Sequence, residues 1–209
     1  MIYFPCISTK VVLEGGALKT DGEGTLISTE SSILNTNRNP QLTRGRIEFD
    51  LQRLLGVEKV IWLPGLWDMD VTDAHVDAWV RVIEHGRLLL NNPGSGKVVE
   101  TECYETNRRI LSQAVDAQDR RFELVDLPEA DSGELAKENP DLCYSYVNYL
   151  LVNGAVVAPR FGGREANEKA EGMLRGVFPG RDVVQVYLRE LAGCGGRVHC
   201  MTQEIPGVD

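Results

Sequence analysis

No apolar run in these 209 residues reaches the length of a membrane-spanning helix, and no basic region at the N-terminus leads into a long apolar core. Neither a bilayer span nor a signal peptide is therefore expected. Cysteine is scarce and odd in number: Cys6, Cys103, Cys143, Cys194 and Cys200. Five such residues fall short of the density of a secreted disulfide scaffold and favour a reducing compartment, so the expected location is cytoplasmic. Five residues separate Cys194 from Cys200, and no second Cys or His pair stands at zinc spacing, which argues against a metal site. Basic residues are the minority, 22 against 31 acidic ones, for a formal net charge of −9. A phosphate-binding surface is not expected from that balance, so nucleic acid is not an expected partner, whereas a small cation suits it.

What the sequence does contain is concentrated near its end. Gly195-Gly196-Arg197-Val198-His199-Cys200 is followed by Met201-Thr202-Gln203-Glu204. Two glycines allow close backbone approach to a ligand and deliver a histidine and a cysteine to the end of a segment, which makes Cys200 the candidate nucleophile. Cysteines are most often small inert hydrophobes, so the case rests on company elsewhere in the chain. Thr72-Asp73-Ala74-His75-Val76-Asp77 supplies it. Read as extended, this stretch puts Asp73, His75 and Asp77 on one face, although a solvated strand face alternates in the same way. Upstream, the apolar run Val11-Val12-Leu13 ends at Glu14-Gly15-Gly16.

One thiol, one histidine and several carboxylates form an odd set for a protease, because negative charge opposes thiolate formation. They make sense around a cationic substrate. A guanidinium is planar and permanently charged, and its fork matches carboxylates two bonds at a time.

At this point an ordered set of motifs resembles the agmatine deiminase family, within the bacterial-type peptidylarginine deiminases of the guanidino-modifying superfamily. The set is Leu13-Glu14-Gly15-Gly16, Asp21-Gly22-Glu23-Gly24-Thr25, Asn35-Thr36-Asn37-Arg38-Asn39-Pro40, Val60-Ile61-Trp62-Leu63-Pro64-Gly65, Thr72 to Asp77 and the Cys200 motif. The resemblance implies an enzyme hydrolysing agmatine to N-carbamoylputrescine and ammonia, a step of putrescine biosynthesis, with no cofactor. It implies an α/β propeller, the pentein fold, of five modules. Under it Cys200 matches the nucleophile that forms a covalent thiouronium adduct, and His75 the general acid and base. Asp77 matches a carboxylate clamping the guanidinium, Glu14 an acidic residue that orients and shuttles protons, and Asp73 a supporting carboxylate on the substrate-binding side.

Two departures are small: Ala74 stands where the family usually has glycine, and Glu204 where it has a second glutamine. A third is larger. The family carries, upstream of Glu-Gly-Gly, a Trp-x-Arg-Asp-x-Gly-Pro motif whose aspartate is a second clamp, and it does not occur here. The expectation is that residues 1–209 are a single partial deiminase domain, about three of five modules, and a poor enzyme alone. Agmatine deiminase, a deiminase of arginine in peptides and a non-catalytic remnant are the three readings it leaves. The expected partner is a small cationic guanidino compound, without nucleic acid or membrane; a homo-oligomer is left open.

Strand and helix patterns repeat accordingly, as an α/β chain of strand-strand-helix-strand modules. Gly24 to Ser28 leads to a helix from about Thr43 to Leu55, stopped by Gly56, and then to a strand from Val57 to Leu63. Leu88-Leu89-Leu90 leads to a helix near Tyr104 to Ala114 and a strand from Phe122 to Leu127. Tyr149 to Val152 turns at Asn153-Gly154 into Ala155 to Ala158, before a helix near Glu165 to Val177 and a strand from Val183 to Leu188. Pro128 to Pro140 reads as a solvated loop, His85 as a turn residue, His199 as one that orients the Cys200 loop, and Trp67 as a residue that could line the substrate channel.

Overall fold

In the computed structural model, which describes residues 7–93, 97–130, 144–187 and 197–203, a strand-strand-helix-strand module occurs three times. The first comprises β1 (Lys19–Thr20), β2 (Thr25–Thr29), the single turn α1 (Glu30–Ile33), α2 (Arg44–Leu55) and β3 (Lys59–Leu63). The second comprises β4 (Val80–Glu84), β5 (Arg87–Asn92), α3 (Val98–Gln113) and β6 (Glu123–Pro128). β7 (Leu150–Val152), β8 (Ala155–Arg160), α4 (Arg164–Val177) and β9 (Asp182–Tyr187) make the third. Each forms its own three-stranded sheet in chain order, an antiparallel hairpin followed by a helical crossover to a parallel strand.

Local sequence explains most boundaries. Thr43 caps α2, its hydroxyl accepting from the Arg46 N–H at 3.3 Å, and Gly56 ends the helix with φ +68°. Gly154 turns the β7–β8 hairpin with φ +80°. The register places Leu26 opposite Val60 and Ile27 opposite Ile61, so alternate residues of the first sheet serve different layers. Leu26 packs with Ile47 and Leu51 of α2, whereas Ile27, Ile61 and Leu63 pack with Leu88, Leu90 and Leu111 of the second module. The pattern then repeats: Leu89 and Leu127 turn to Val156 of the third sheet and Leu174 of α4. A helix therefore lies between successive sheets. That layering requires strands buried on both faces, which is why Leu88-Leu89-Leu90 is an unbroken apolar run. Each such buried side chain contributes about 1.5–3 kcal/mol.

Some expectations shift. The two-residue β1 carried no signal, and β3 begins at Lys59 instead of Val57. α3 starts at Val98, well before Tyr104, because its first turn holds two exposed β-branched residues, Val98 and Val99, that read poorly as helix. Leu188 and most of the segment 128–140 lie outside the described residues. Glu129 does not: its side chain is enclosed, paired with Lys97 Nζ at 3.0 Å and accepting from the Tyr144 N–H at 2.6 Å, so it is no solvated loop residue. Among the described residues no helix is long and apolar enough to cross a membrane.

Thr72 to Asp77 is also not a strand. Asp73 and Ala74 take φ +56° and +60°, and Val76–Ala78 is a single 3-10 turn. Alternation onto one face is lost, and the positive φ of Ala74 explains why glycine suits that position. A further 3-10 turn, Gly15–Ala17, packs against it and against a third, His199–Met201. The turns at Gly15 and Val76 occupy equivalent places, just before the opening strand of a module.

Candidate active site

The three turns surround a cavity of about 760 Å³. Glu14, His75, Asp77 and Cys200, far apart in sequence, all line it. His75 Nε2 lies 3.1 Å from Glu14 Oε2. Cys200 Sγ lies 3.5 Å from Asn148 Oδ1 and 3.8 Å from Asp77 Oδ2. Gly16 makes this proximity feasible: a Cβ there would stand 2.6 Å from His75 Nδ1 and 2.9 Å from Asp77 Oδ2. Both neighbours are packed in, so neither can give way. Gly16→Ala is expected to displace the histidine and carboxylate, lowering kcat/KM of the intact protein by about 10²-fold and stability by about 1–3 kcal/mol. Steady-state kinetics and urea unfolding measure both. Parent kinetics in the alanine variant would show that this close approach is dispensable.

Asp77 is fully buried, and two partners fix it. His199 Nδ1 bonds its Oδ2 at 2.7 Å, and the Asn148 side-chain amide donates to its backbone carbonyl at 3.3 Å. Lys19 Nζ donates to His199 Nε2 at 2.7 Å, which leaves Nδ1 to carry the proton toward Asp77. Burial alone would raise the Asp77 carboxyl, but the His199 hydrogen bond and positive charge nearby, that of Lys19 among it, outweigh it and hold the carboxyl below its ordinary value. Burial, with the charges of Arg81 and Lys19, lowers His199 against the pull of Asp77. The pair is therefore a carboxylate and a neutral imidazole. Asp77 Oδ1 is enclosed with no hydrogen-bond partner among the described residues, although buried polar atoms are ordinarily bonded.

Cys200 is exposed as a residue, yet protein atoms crowd its sulfur; that loss of water, then the Asp77 charge, raises the thiol above its usual value. Arg197 opposes the rise. Glu14 is bound through both oxygens to Arg38 Nε at 2.9 Å. Although burial opposes it, the bonds to Arg38 and His75 hold the Glu14 carboxyl below its ordinary value.

Asp73 is not brought to the cavity with the others. Its Oδ2 accepts from Arg38 Nη1 at 2.7 Å and Asn37 Nδ2 at 2.9 Å, and its Oδ1 from the Asp68 N–H at 3.0 Å. It anchors Arg38, which in turn holds Glu14. Trp67 is half exposed and does not line the cavity, and His85 lies at the surface near Glu23.

Sequence reasoning missed Asn148, Lys19 and Arg81. Asn148 accepts at Oδ1 from the His199 N–H at 3.0 Å and so positions the cysteine turn. Its place just before β7, equivalent to that of Gly16 before β1 and Asp77 before β4, is the signal that could have found it. Lys19 on β1 and Arg81 on β4 line the cavity by strand orientation alone.

The chain is 36% identical over 222 residues to agmatine deiminase of Medicago truncatula, covering 98% of this chain and 59% of that protein. It is 40% identical over 212 residues to agmatine deiminase of Stutzerimonas stutzeri (strain A1501), covering 93% and 57%. Its structure matches that of Enterococcus faecalis agmatine deiminase with a TM-score of 0.86 at 28% identity, over 94% of this chain and 57% of the other. The chain thus spans under two thirds of the length of each. With residues 2–206 matching the family profile, and the thiol, histidine and carboxylates gathered at one cavity, the chain belongs to the Porphyromonas-type peptidyl-arginine deiminase family.

Proposed function

We propose that the protein carrying this chain hydrolyses the guanidinium of agmatine, giving N-carbamoylputrescine and ammonia. The observation that carries this reading is the one cavity lined by Cys200, His75, Glu14 and Asp77, with His75 bonded to Glu14 and Asp77 Oδ1 lacking a hydrogen-bond partner among the described residues. A guanidinium placed there donates to Asp77 and brings its central carbon to the thiol. Its positive charge offsets the Asp77 charge that raises the thiol, so substrate promotes its own nucleophile. The thiol releases its proton to solvent as the guanidinium seats, the thiolate adds to the carbon, and a C–N bond breaks as His75 gives a proton to the departing nitrogen. Ammonia leaves and an S-alkylthiouronium remains on Cys200. His75 then takes a proton from water, whose oxygen adds to the same carbon; the C–S bond breaks and the ureido product leaves. A positioned acid and base of this kind supplies about 10²–10⁴-fold in rate. Glu14 orients His75, and Arg38 with Asp73 holds Glu14.

Relatives named agmatine deiminase support the choice of agmatine. A colorimetric assay for ureido groups tests it with agmatine, free arginine and an arginyl peptide, and agmatine is expected to give the largest kcat/KM. Turnover of the peptide without agmatine would overturn the substrate. No ureido product from any of them would overturn the reaction.

A further inference from the structure

Lys19 and His199 line the cavity without a part in the hydrolysis as proposed, yet a chain of contacts joins them to the thiol. Lys19 Nζ lies 2.7 Å from His199 Nε2, His199 Nδ1 lies 2.7 Å from Asp77 Oδ2, and the same Oδ2 lies 3.8 Å from Cys200 Sγ. The first two links have a fixed direction. A lysine ammonium carries donors and no acceptor, so Nε2 accepts, and the one proton of a neutral imidazole sits on Nδ1, aimed at the carboxylate. The ring is held from its backbone as well: the His199 N–H donates to Asn148 Oδ1 at 3.0 Å, and the residue is buried. Among the described residues, the charged groups acting on the ring are Lys19 from β1, Arg81 from β4 and Asp77 from the turn before β4. Burial first, then the charges of Arg81 and Lys19, oppose a second proton on His199, whereas Asp77 favours one.

We propose that Lys19 is a positioning residue for the Cys200 thiol: it fixes His199 as the Nδ1–H tautomer, and His199 keeps Asp77 Oδ2 occupied so that the carboxylate does not retain the thiol proton. The other tautomer shows what the ammonium excludes. With the proton on Nε2, the ring would present a lone pair to Oδ2, placing two acceptors face to face, and the carboxylate would take the thiol as its donor instead. A hydrogen bond from S–H to a carboxylate favours the thiol over the thiolate. In the Nδ1–H state the thiol is left to Asn148 Oδ1 at 3.5 Å, a neutral acceptor that holds a proton less firmly. Control of the tautomer and of the thiol stands apart from the proposed reaction; the effect on turnover rests on it.

Nitrogen NMR of the histidine rings in the intact protein reads the tautomer directly, because protonated and unprotonated ring nitrogens resonate far apart. In the parent and in Lys19→Arg, which is also a pure donor, His199 is expected to carry one proton, on Nδ1, at neutral pH. In Lys19→Met it is expected to exchange tautomers and to take its second proton about one pH unit higher. Iodoacetamide reads the consequence: the pH profile of Cys200 alkylation shifts upward by about one unit in Lys19→Met and returns with arginine, which a loss of packing alone would not produce. For agmatine, kcat/KM of the methionine variant falls by about 10-fold to 10²-fold. An unchanged His199 tautomer in Lys19→Met, or a thiol profile that stays in place while the tautomer changes, overturns the proposal. Should the variants fail to fold, the unmodified protein decides: a proton on Nδ1 alone supports the proposal, and one on Nε2 overturns it. Absence of ureido product from agmatine while Lys19 still governs the tautomer and the thiol would remove the proposed function and leave this chain of contacts standing.

Discussion

Replacing Cys200 by serine in the intact protein is expected to abolish turnover, with a loss on the order of 10⁶-fold, the range seen when a covalent nucleophile is deleted. The reason is local. Among the described residues, the side-chain acceptors near Sγ are Asn148 Oδ1 at 3.5 Å and Asp77 Oδ2 at 3.8 Å. An amide oxygen and a carboxylate already bonded to His199 cannot generate an alkoxide from serine. The exchange changes little volume at an exposed residue, so stability should move by no more than about 0.5 kcal/mol. Alkylation of the unmodified protein gives an independent readout. Burial and the Asp77 charge raise the Cys200 thiol, so the thiolate forms, and neutral iodoacetamide reacts, increasingly as pH climbs above the ordinary thiol range. A cationic haloacetamidine should label faster at neutral pH because its charge offsets Asp77, and agmatine should protect. Cys103 is buried with its thiol pushed up to about 11, which makes it a poor competitor. A serine variant retaining a hundredth of the parent rate would move the nucleophile elsewhere.

How far the sequence reveals such a site depends on what each residue's position rests on. Modules were legible because capping and strand burial are local: Thr43 and Gly56 bracket α2, and Leu88-Leu89-Leu90 reads as a strand enclosed on both faces. Glu14, His75, Asp77 and Cys200 were legible through chemistry that makes sense only as a set. The reason first given for the His75 segment was nonetheless wrong, because two consecutive residues with positive φ replace the strand that alternation suggested. His75 and Asp77 still reach one cavity, since the 3-10 turn that follows His75 carries Asp77 inward. Contacts made across long stretches of chain left no such trace. Lys19 meets His199 across 180 positions, and Asn148 meets the same residue across 51. Glu129 misled for a related reason: its charge reads as solvated until Lys97, 32 positions away, is seen to pair with it.

Asp73 shows what a charged residue outside the cavity contributes. Its side chain is 4% exposed and that of Arg38 8% exposed, so Asp73→Asn should leave a buried guanidinium short of a counter-charge. Breaking such a pair costs about 3–5 kcal/mol, with the lower end expected because Arg38 keeps the partly exposed Glu14. Asparagine isolates the electrostatic effect: it tolerates the φ of +56° at this position as readily as aspartate. The pH dependence has a definite sign. Burial opposes ionisation of Asp73, but bonds from Asn37, Arg38 and the Asp68 N–H prevail and hold the native carboxyl below the unfolded value of 3.8. Its stabilisation is fully present above that value and is lost as pH falls through the lower native one. Urea unfolding at neutral pH should therefore show a gap of about 3 kcal/mol between parent and variant. The gap should narrow once the pH drops below about 4. A loosened Arg38 should also release Glu14 and His75, lowering kcat more than it raises KM. A variant as stable as the parent at neutral pH, or a gap that widens on acidification, would remove Asp73 as the anchor of the Arg38–Glu14–His75 chain.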